Sequence, residues 1–158
     1  MRPKKYPLDP LVRVRRERTD ASVRELAGSI ATREGAERAR IAAEAERARR
    51  AEVARQARIA EEKALLGGEL SAADLQRQAA WDARTQWDDQ ASAEEVKRAV
   101  ERETTAREGE GRARSRVATA EAEARVVTEH RARWVAEGER AAEAAAEEDA
   151  AEGWRPGR

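Results

Sequence analysis

The chain offers few side chains that could carry out covalent or metal chemistry. It has one histidine, His130, and no cysteine, so no set of His and Cys ligands could bind a metal or activate a nucleophile. The neighbouring carboxylates Glu147 and Glu148 could suggest acid-base chemistry, but an exposed helix has no pocket that would shift their pKa values. The glycine pair Gly67-Gly68 is followed by neither Lys-Ser nor Lys-Thr, so it does not match a phosphate-binding loop. We therefore predict a protein that is not an enzyme, with no metal and no cofactor, in which His130 has a surface role.

Composition predicts long helices rather than a globular core. Charged residues make up 41% of the 158 residues, aromatic residues only 3%, and Phe is absent, so too few large apolar side chains remain for a compact core. The basic and acidic side chains balance at 32 each, and Ala, Glu and Arg are good helix formers. Zero net charge argues against a general nucleic-acid binder. No apolar stretch approaches the roughly 20 residues of a membrane span, which predicts a cytoplasmic protein without membrane insertion.

Helix-breaking and helix-capping residues define the elements. Proline occurs only at positions 3, 7, 10 and 156, so no proline interrupts a helix between residues 11 and 155. Gly67-Gly68 favours the left-handed geometry of a helix end, and Ser71 with Asp74 resembles the capping box of a new helix. The predicted elements are a basic extended N-terminus over residues 1–8, a first helix over 9–66 with Asp9 as N-cap, a turn over 67–70, a second helix over 71–153 and a disordered tail over 154–158.

Apolar periodicity predicts that these two helices pack together. On the first helix, aliphatic side chains recur with alternating steps of 11 and 7 residues, which keeps them on one line at about 3.6 residues per turn. We expect this line to face the second helix: Val12, Val23, Ile30, Ile41, Ala48, Ile59 and Leu66.

On the second helix, small residues follow a heptad pattern from Val96 to Ala145 that only Glu103, Glu110 and Arg131 break. The short turn favours antiparallel pairing, with Val12 beside the region of Val126. The prediction is an all-α fold, a long antiparallel two-helix coiled-coil hairpin in which the stretch from about His130 to Trp154 has no partner.

The two chain ends carry opposite charge. Residues 1–20 contain seven basic and three acidic side chains, whereas residues 139–152 contain six acidic side chains and Arg140 alone as a base. A hairpin places both ends at the same pole, which we interpret as a protein-docking end. The run Val12-Arg13-Val14-Arg15-Arg16 also resembles the start of a nucleic-acid-binding basic region.

Two tryptophans lie shortly after the predicted turn. Extending the heptad pattern backwards puts Trp81 on its flank and Trp87 nearly opposite, so both cannot be buried between two helices. Either they are exposed anchors for another protein, or they lie along arginine side chains and the helix ends.

The architecture and both ends resemble the stalk proteins of type III export systems, the FliJ family of flagella and its injectisome counterpart, YscO. The resemblance rests on the basic opening from Lys5 to Arg15 followed by ASVRELA (residues 21–27), and on the acidic, Ala-rich close VVTEHRARWVAEGERAAEAAAEEDAAEGW (residues 126–154). The acidic, Trp-ended tail favours the injectisome branch.

The resemblance implies a bacterial, cytoplasmic stalk peripheral to the inner-membrane export apparatus. Its expected partners are the hexameric export ATPase, the cytoplasmic ring of the export gate and export chaperones. The implied ATPase contacts are Arg13, Arg15, Arg16, Arg18, Trp134 and Trp154, and the implied gate contacts are Leu75, Trp81 and Trp87. The alternatives are a generic coiled-coil spacer or scaffold and a nucleic-acid-binding helical protein.

Overall fold

The computed structural model describes residues 5–153, which form two long helices. Helix α1 spans Asp9–Leu66 and helix α2 spans Ala72–Gly153, and this part of the chain contains no strand. The helices pack against each other, which confirms the predicted all-α, two-helix hairpin. The predicted tail over 154–158 and the first four residues of the predicted N-terminal segment lie outside the described residues.

Helix α1 begins in a slightly different way from the prediction. The backbone N–H of Val12 donates to the carbonyl of Leu8 at 3.1 Å, so Leu8 rather than Asp9 occupies the N-cap position. The carboxylate of Asp9 instead lies 3.0 Å from the guanidinium of Arg131 on α2. The prediction of Asp9 as N-cap was wrong, because an ion pair with the other helix holds its side chain.

The turn between the helices follows the predicted local chemistry. Gly68 has a φ of 68°, the left-handed geometry that glycine adopts without steric cost. The N–H groups of Gly68 and Glu69 donate to the carbonyls of Leu65 and Ala64 at 3.1 Å, which ends α1 in a Schellman motif.

Helix α2 then begins with the predicted capping box. The hydroxyl of Ser71 accepts from the N–H of Asp74 at 3.2 Å, and the carboxylate of Asp74 accepts from the N–H of Ser71 at 2.9 Å. Because Ser71 is the N-cap, α2 starts one residue later than the sequence indicated.

The chain divides into two compact units, and each unit contains part of α1 and part of α2. We call residues 28–111 the turn unit, and residues up to 27 together with residues from 112 the terminal unit. In the turn unit, the pairs between the helices are Arg33 with Glu110, Arg40 with Glu103, Arg47 with Asp89 and Arg58 with Asp82. In the terminal unit, they include Asp9 with Arg131, Arg15 with Glu123 and Glu25 with Arg116. Within each unit the number on α2 falls as the number on α1 rises, so the helices are antiparallel.

The pairing register in the terminal unit agrees with the prediction for Val12. This residue lies on α1 between Asp9 and Arg15, and their partners on α2 are Arg131 and Glu123. The opposing part of α2 is therefore the region of Val126, as expected from the sequence.

The aliphatic line on α1 is not its packing face. Val12 is only 7% exposed, but Ile41 is 52% exposed and Leu66 83% exposed. The line repeats every 3.6 residues, whereas a coiled-coil contact face repeats every 3.5, and the two diverge by about 20° per heptad. Over the 54 residues from Val12 to Leu66 this drift reaches about 150°, so the line leaves the contact face.

The side chains of α1 that face inward instead alternate by steps of three and four residues. They are Val12, Arg15, Thr19, Ser22, Leu26, Ser29, Arg33, Ala36, Arg40, Ala43 and Arg47. Most of them are small or polar, so their inward position could not be recognised from hydrophobicity.

The heptad pattern on α2 is confirmed from Val96 to Val127. Ala99, Ala113 and Ala120 are buried, and the positions between them are buried or half-buried. Further along, Gly138, Ala141 and Ala145 are exposed, so this part of the heptad has no partner helix.

Candidate docking surfaces

The three residues that break the α2 heptad are each paired with α1. In the turn unit, the buried carboxylate of Glu110 lies 2.7 Å from the Nε of Arg33, and that of Glu103 lies 2.5 Å from the Nε of Arg40. In the terminal unit, Arg131 contacts Asp9. Polar groups inside a coiled-coil contact fix which residues can lie opposite each other, because a shifted register would leave a charge buried without its partner.

An aromatic cluster holds the N-terminal segment against α2. Tyr6 is buried, its hydroxyl lies 2.6 Å from the Nδ1 of His130, and its ring centroid lies 5.5 Å from that of Trp134. Trp134 is therefore half-buried, and part of its ring surface already contacts Tyr6 of the same molecule. The predicted unpartnered stretch of α2 begins later than His130, because residues 130–134 contact Tyr6 and Asp9.

The four predicted arginines at the start of α1 have different environments. Arg15 is half-buried and forms an ion pair with Glu123 on α2, which Arg18 also approaches at 3.5 Å. Arg13, Arg16 and Arg18 are exposed. The structure thus leaves three of the four arginines on the surface and uses Arg15 to join the two helices.

Two exposed aliphatic residues beside these arginines were missed by the sequence analysis. Leu11 and Val14 are exposed, Val14 by 55%, and with Arg18 they follow the i, i+3, i+7 spacing of a single helix side. We call Leu11, Val14 and Arg18 the N-terminal face. Their spacing was visible in the sequence, but only the position of the packing face shows that Leu11 and Val14 stay exposed beside Arg18.

The last part of α2 is exposed on all sides. Every residue from Glu137 to Glu152 is exposed, and this segment contains seven carboxylates and one arginine, Arg140. We call it the C-terminal extension. Trp154, which was predicted as an ATPase contact, lies outside the described residues.

The predicted gate contacts lie in the turn unit, and they do not form one cluster. Trp81 is 37% exposed and lines an open groove of about 850 Å³ with Val53, Ala54 and Arg58. Trp87 is 68% exposed and does not line this groove, and Leu75 is also exposed. The sequence predicted that both tryptophans could not be buried, and in the structure neither is, with Trp87 the more accessible of the two.

Most shifted pKa values in the turn unit follow ion pairs on single helices, and that of Arg40 is raised by Glu44 on its own helix and by Glu103 on α2. Hydrogen bonds from Arg50 and Arg49 lower the pKa of Glu46, and hydrogen bonds from Arg55 and Gln56 lower that of Glu52. At the start of α2, hydrogen bonds from the Ser71 hydroxyl and N–H, with Arg77, lower the pKa of Asp74 to about 2. These shifts stabilise charged surface groups, and none lies in an enclosed cavity.

Within residues 5–153, no group of three or more His, Asp or Glu side chains is placed to hold a metal ion. Neither helix, as far as the structure describes it, has a stretch long and apolar enough to cross a membrane.

Comparisons with known proteins return no relative of this chain. No family model, no curated protein and no solved structure matches it.

Proposed function

We propose that the protein is a stalk component of a bacterial type III protein export apparatus, which couples the hexameric export ATPase to the export gate and also binds export chaperones. In this proposal the start of α1 and the adjoining part of α2 bind the ATPase. Trp87 and Leu75, near the turn, bind the cytoplasmic ring of the gate. The proposal places the protein in the cytoplasm, at the inner-membrane export apparatus.

The observation that carries the proposal is the basic surface at the start of a paired-helix unit. Arg13, Arg16 and Arg18 are exposed within six residues of one another, on a helix that α2 supports through Arg15 and Glu123. Exposed arginines on a supported helix suit the recognition of carboxylates on a protein partner. The resemblance of both chain ends to type III stalk proteins supplies the identity of that partner.

The ATPase assignment can be tested by charge reversal and capture. In the first variant, Arg13 and Arg16 are both replaced by Glu. Arg15 and Arg18 are left unchanged, because both contact Glu123 and their reversal would confuse binding with folding. The expected result is that capture of the purified export ATPase weakens at least about tenfold.

A matched control carries the same change of charge elsewhere. Arg38 and Arg84 are exposed residues of the turn unit, and their replacement by Glu should leave ATPase capture unchanged. Equal capture by the first variant and the unmodified protein would remove the ATPase assignment. Equal loss in both variants would mean that only overall charge matters.

The gate assignment needs a separate test. Trp87→Ala removes the most exposed tryptophan of the turn unit, and Val100→Ala is a control at another exposed apolar residue of α2. We expect the tryptophan variant to lose binding to the purified cytoplasmic ring of the gate while the control retains it. Binding by the tryptophan variant at the original level would exclude Trp87 from this contact.

A further inference from the structure

The terminal unit has two surfaces of complementary chemistry that cannot meet within one molecule. The N-terminal face is apolar at Leu11 and Val14 and basic at Arg18, with the exposed Arg13 next to Val14 around the helix, whereas Arg16 lies on the other side of α1. The C-terminal extension is acidic, with seven carboxylates against one arginine.

The path of α2 explains why the two surfaces stay apart in a single chain. Asp9 contacts Arg131, so the start of α1 lies beside residue 131 of an antiparallel helix. From there α2 continues without a break to Gly153, away from the body of α1. An unbroken helix cannot turn back, so the extension cannot reach the N-terminal face of its own chain.

We propose that the C-terminal extension of one copy packs on the N-terminal face of a second copy, in a dimer with two-fold symmetry. Each copy would give one extension and receive one, so the same contact forms twice. The extension is about 24 Å long at 1.5 Å per residue, enough to cover the first turns of α1.

Small residues and opposite charges both fit this contact. The extension carries alanines at 141, 142, 145 and 146, whose small side chains let its backbone approach Leu11 and Val14 closely. Its carboxylates would meet Arg18 and Arg13 of the other copy, and complementary charges at such a rim favour one partner and one orientation.

The dimer would cover Arg18, one of the arginines that the proposed function assigns to the ATPase. Dimer and ATPase complex would then compete for this end of α1, and the free dimer would bind the ATPase less well. The dimer itself is independent of the export function, because it is tested with the purified chain alone.

Sedimentation of the purified full chain in low and in high salt provides the first test. We expect a dimer in low salt that dissociates into monomers in high salt, because its charged contacts are screened. Val14→Glu should weaken dimerisation at least about tenfold, since it puts a carboxylate opposite the acidic extension. Val126→Glu is the matched control, an exposed valine of the same unit on α2, and should leave dimerisation unchanged.

Engineered cysteines test the position of the contact, because the chain has none of its own. Val14→Cys combined with Ala145→Cys should give a covalent dimer on oxidation, whereas Ile41→Cys combined with Ala145→Cys should not. A monomer at every salt concentration would overturn the proposal. A dimer that responds equally to both glutamate variants, or that cross-links equally in both cysteine pairs, would overturn it as well.

Discussion

The ion pair between Arg33 and Glu110 should be a strong determinant of stability in the turn unit. Glu110 has only 7% of its side chain exposed, and its carboxylate lies 2.7 Å from the Nε of Arg33. Glu110→Leu removes the carboxylate and leaves the arginine facing an apolar side chain. The paired variant, Arg33→Leu with Glu110→Leu, removes both charges and places two leucines between the helices.

The expected loss follows from the surroundings of Arg33. Breaking a fully buried ion pair costs about 3–5 kcal/mol, because one charge is left without its partner. Arg33 has 27% of its side chain exposed and keeps a 2.8 Å contact with Glu37, so part of that cost is recovered. We expect Glu110→Leu to lower the free energy of unfolding by about 2 kcal/mol, or about 6 °C in melting temperature.

The double variant should be at least as stable as the unmodified protein. Two leucines bury apolar surface and need no desolvation of charge, so exchanging a whole buried pair is often neutral or stabilising. The assay is urea and thermal unfolding followed by far-ultraviolet circular dichroism, arranged as a double-mutant cycle.

A control and a refuting result complete this experiment. Glu101→Leu, at an exposed position of the same helix, should change stability by less than about 0.5 kcal/mol. The reasoning would be refuted by a Glu110→Leu variant that unfolds at the original temperature. It would also be refuted if the two single changes simply added in the double variant, because the cycle would then show no coupling between the residues.

Three further predictions concern the capping box, the packing face and the N-terminal segment. The lowered pKa of Asp74 means that its carboxylate stabilises the start of α2 above pH about 4, and that this contribution is lost as the pH falls towards 2. The amide NMR signals of residues 72–75 should therefore shift in that pH range, and Asp74→Ala should abolish the shift. Ala113→Leu should overpack the buried contact between the helices and lower the free energy of unfolding by about 2 kcal/mol, whereas Ile41→Gln should lower it by less than about 0.5 kcal/mol. Equal losses in urea unfolding would contradict the packing face described for α1. Tyr6→Phe removes the hydroxyl bonded to His130 and should lower the stability of the N-terminal segment by about 1 kcal/mol, visible as faster hydrogen exchange at the first turn of α1. Unchanged exchange would show that the ring contact with Trp134 is enough to hold the segment against α2.

The helix ends at the turn could be predicted from sequence because their chemistry is local, unlike the start of α1, where Asp9 pairs with Arg131 on the other helix. Gly68 takes the left-handed geometry, and Ser71 and Asp74 bond each other across three residues, so neighbours in the chain supply every group involved. The heptad on α2 could also be predicted from the sequence, because small residues such as Ala99, Ala113 and Ala120 recur at heptad spacing.

The candidate docking surfaces were predicted only in part. The exposure of Arg13, Arg16 and Trp87 agrees with their proposed roles, but the engagement of Arg15 with Glu123 depends on which turn of α2 lies opposite. Leu11 and Val14 were missed because nothing in their types shows which side of α1 faces its partner.

By itself the sequence determined the helical class, the turn and the antiparallel pairing, because helix propensity, glycine geometry and capping all act between near neighbours. The tertiary structure alone decided which side of α1 is buried. Arginine side chains usually lie at the surface. Arg33 and Arg40 face inward only because Glu110 and Glu103 lie opposite them on the other helix. A charged side chain can be buried only with its partner, and partners so distant in the chain meet only when the helices have packed.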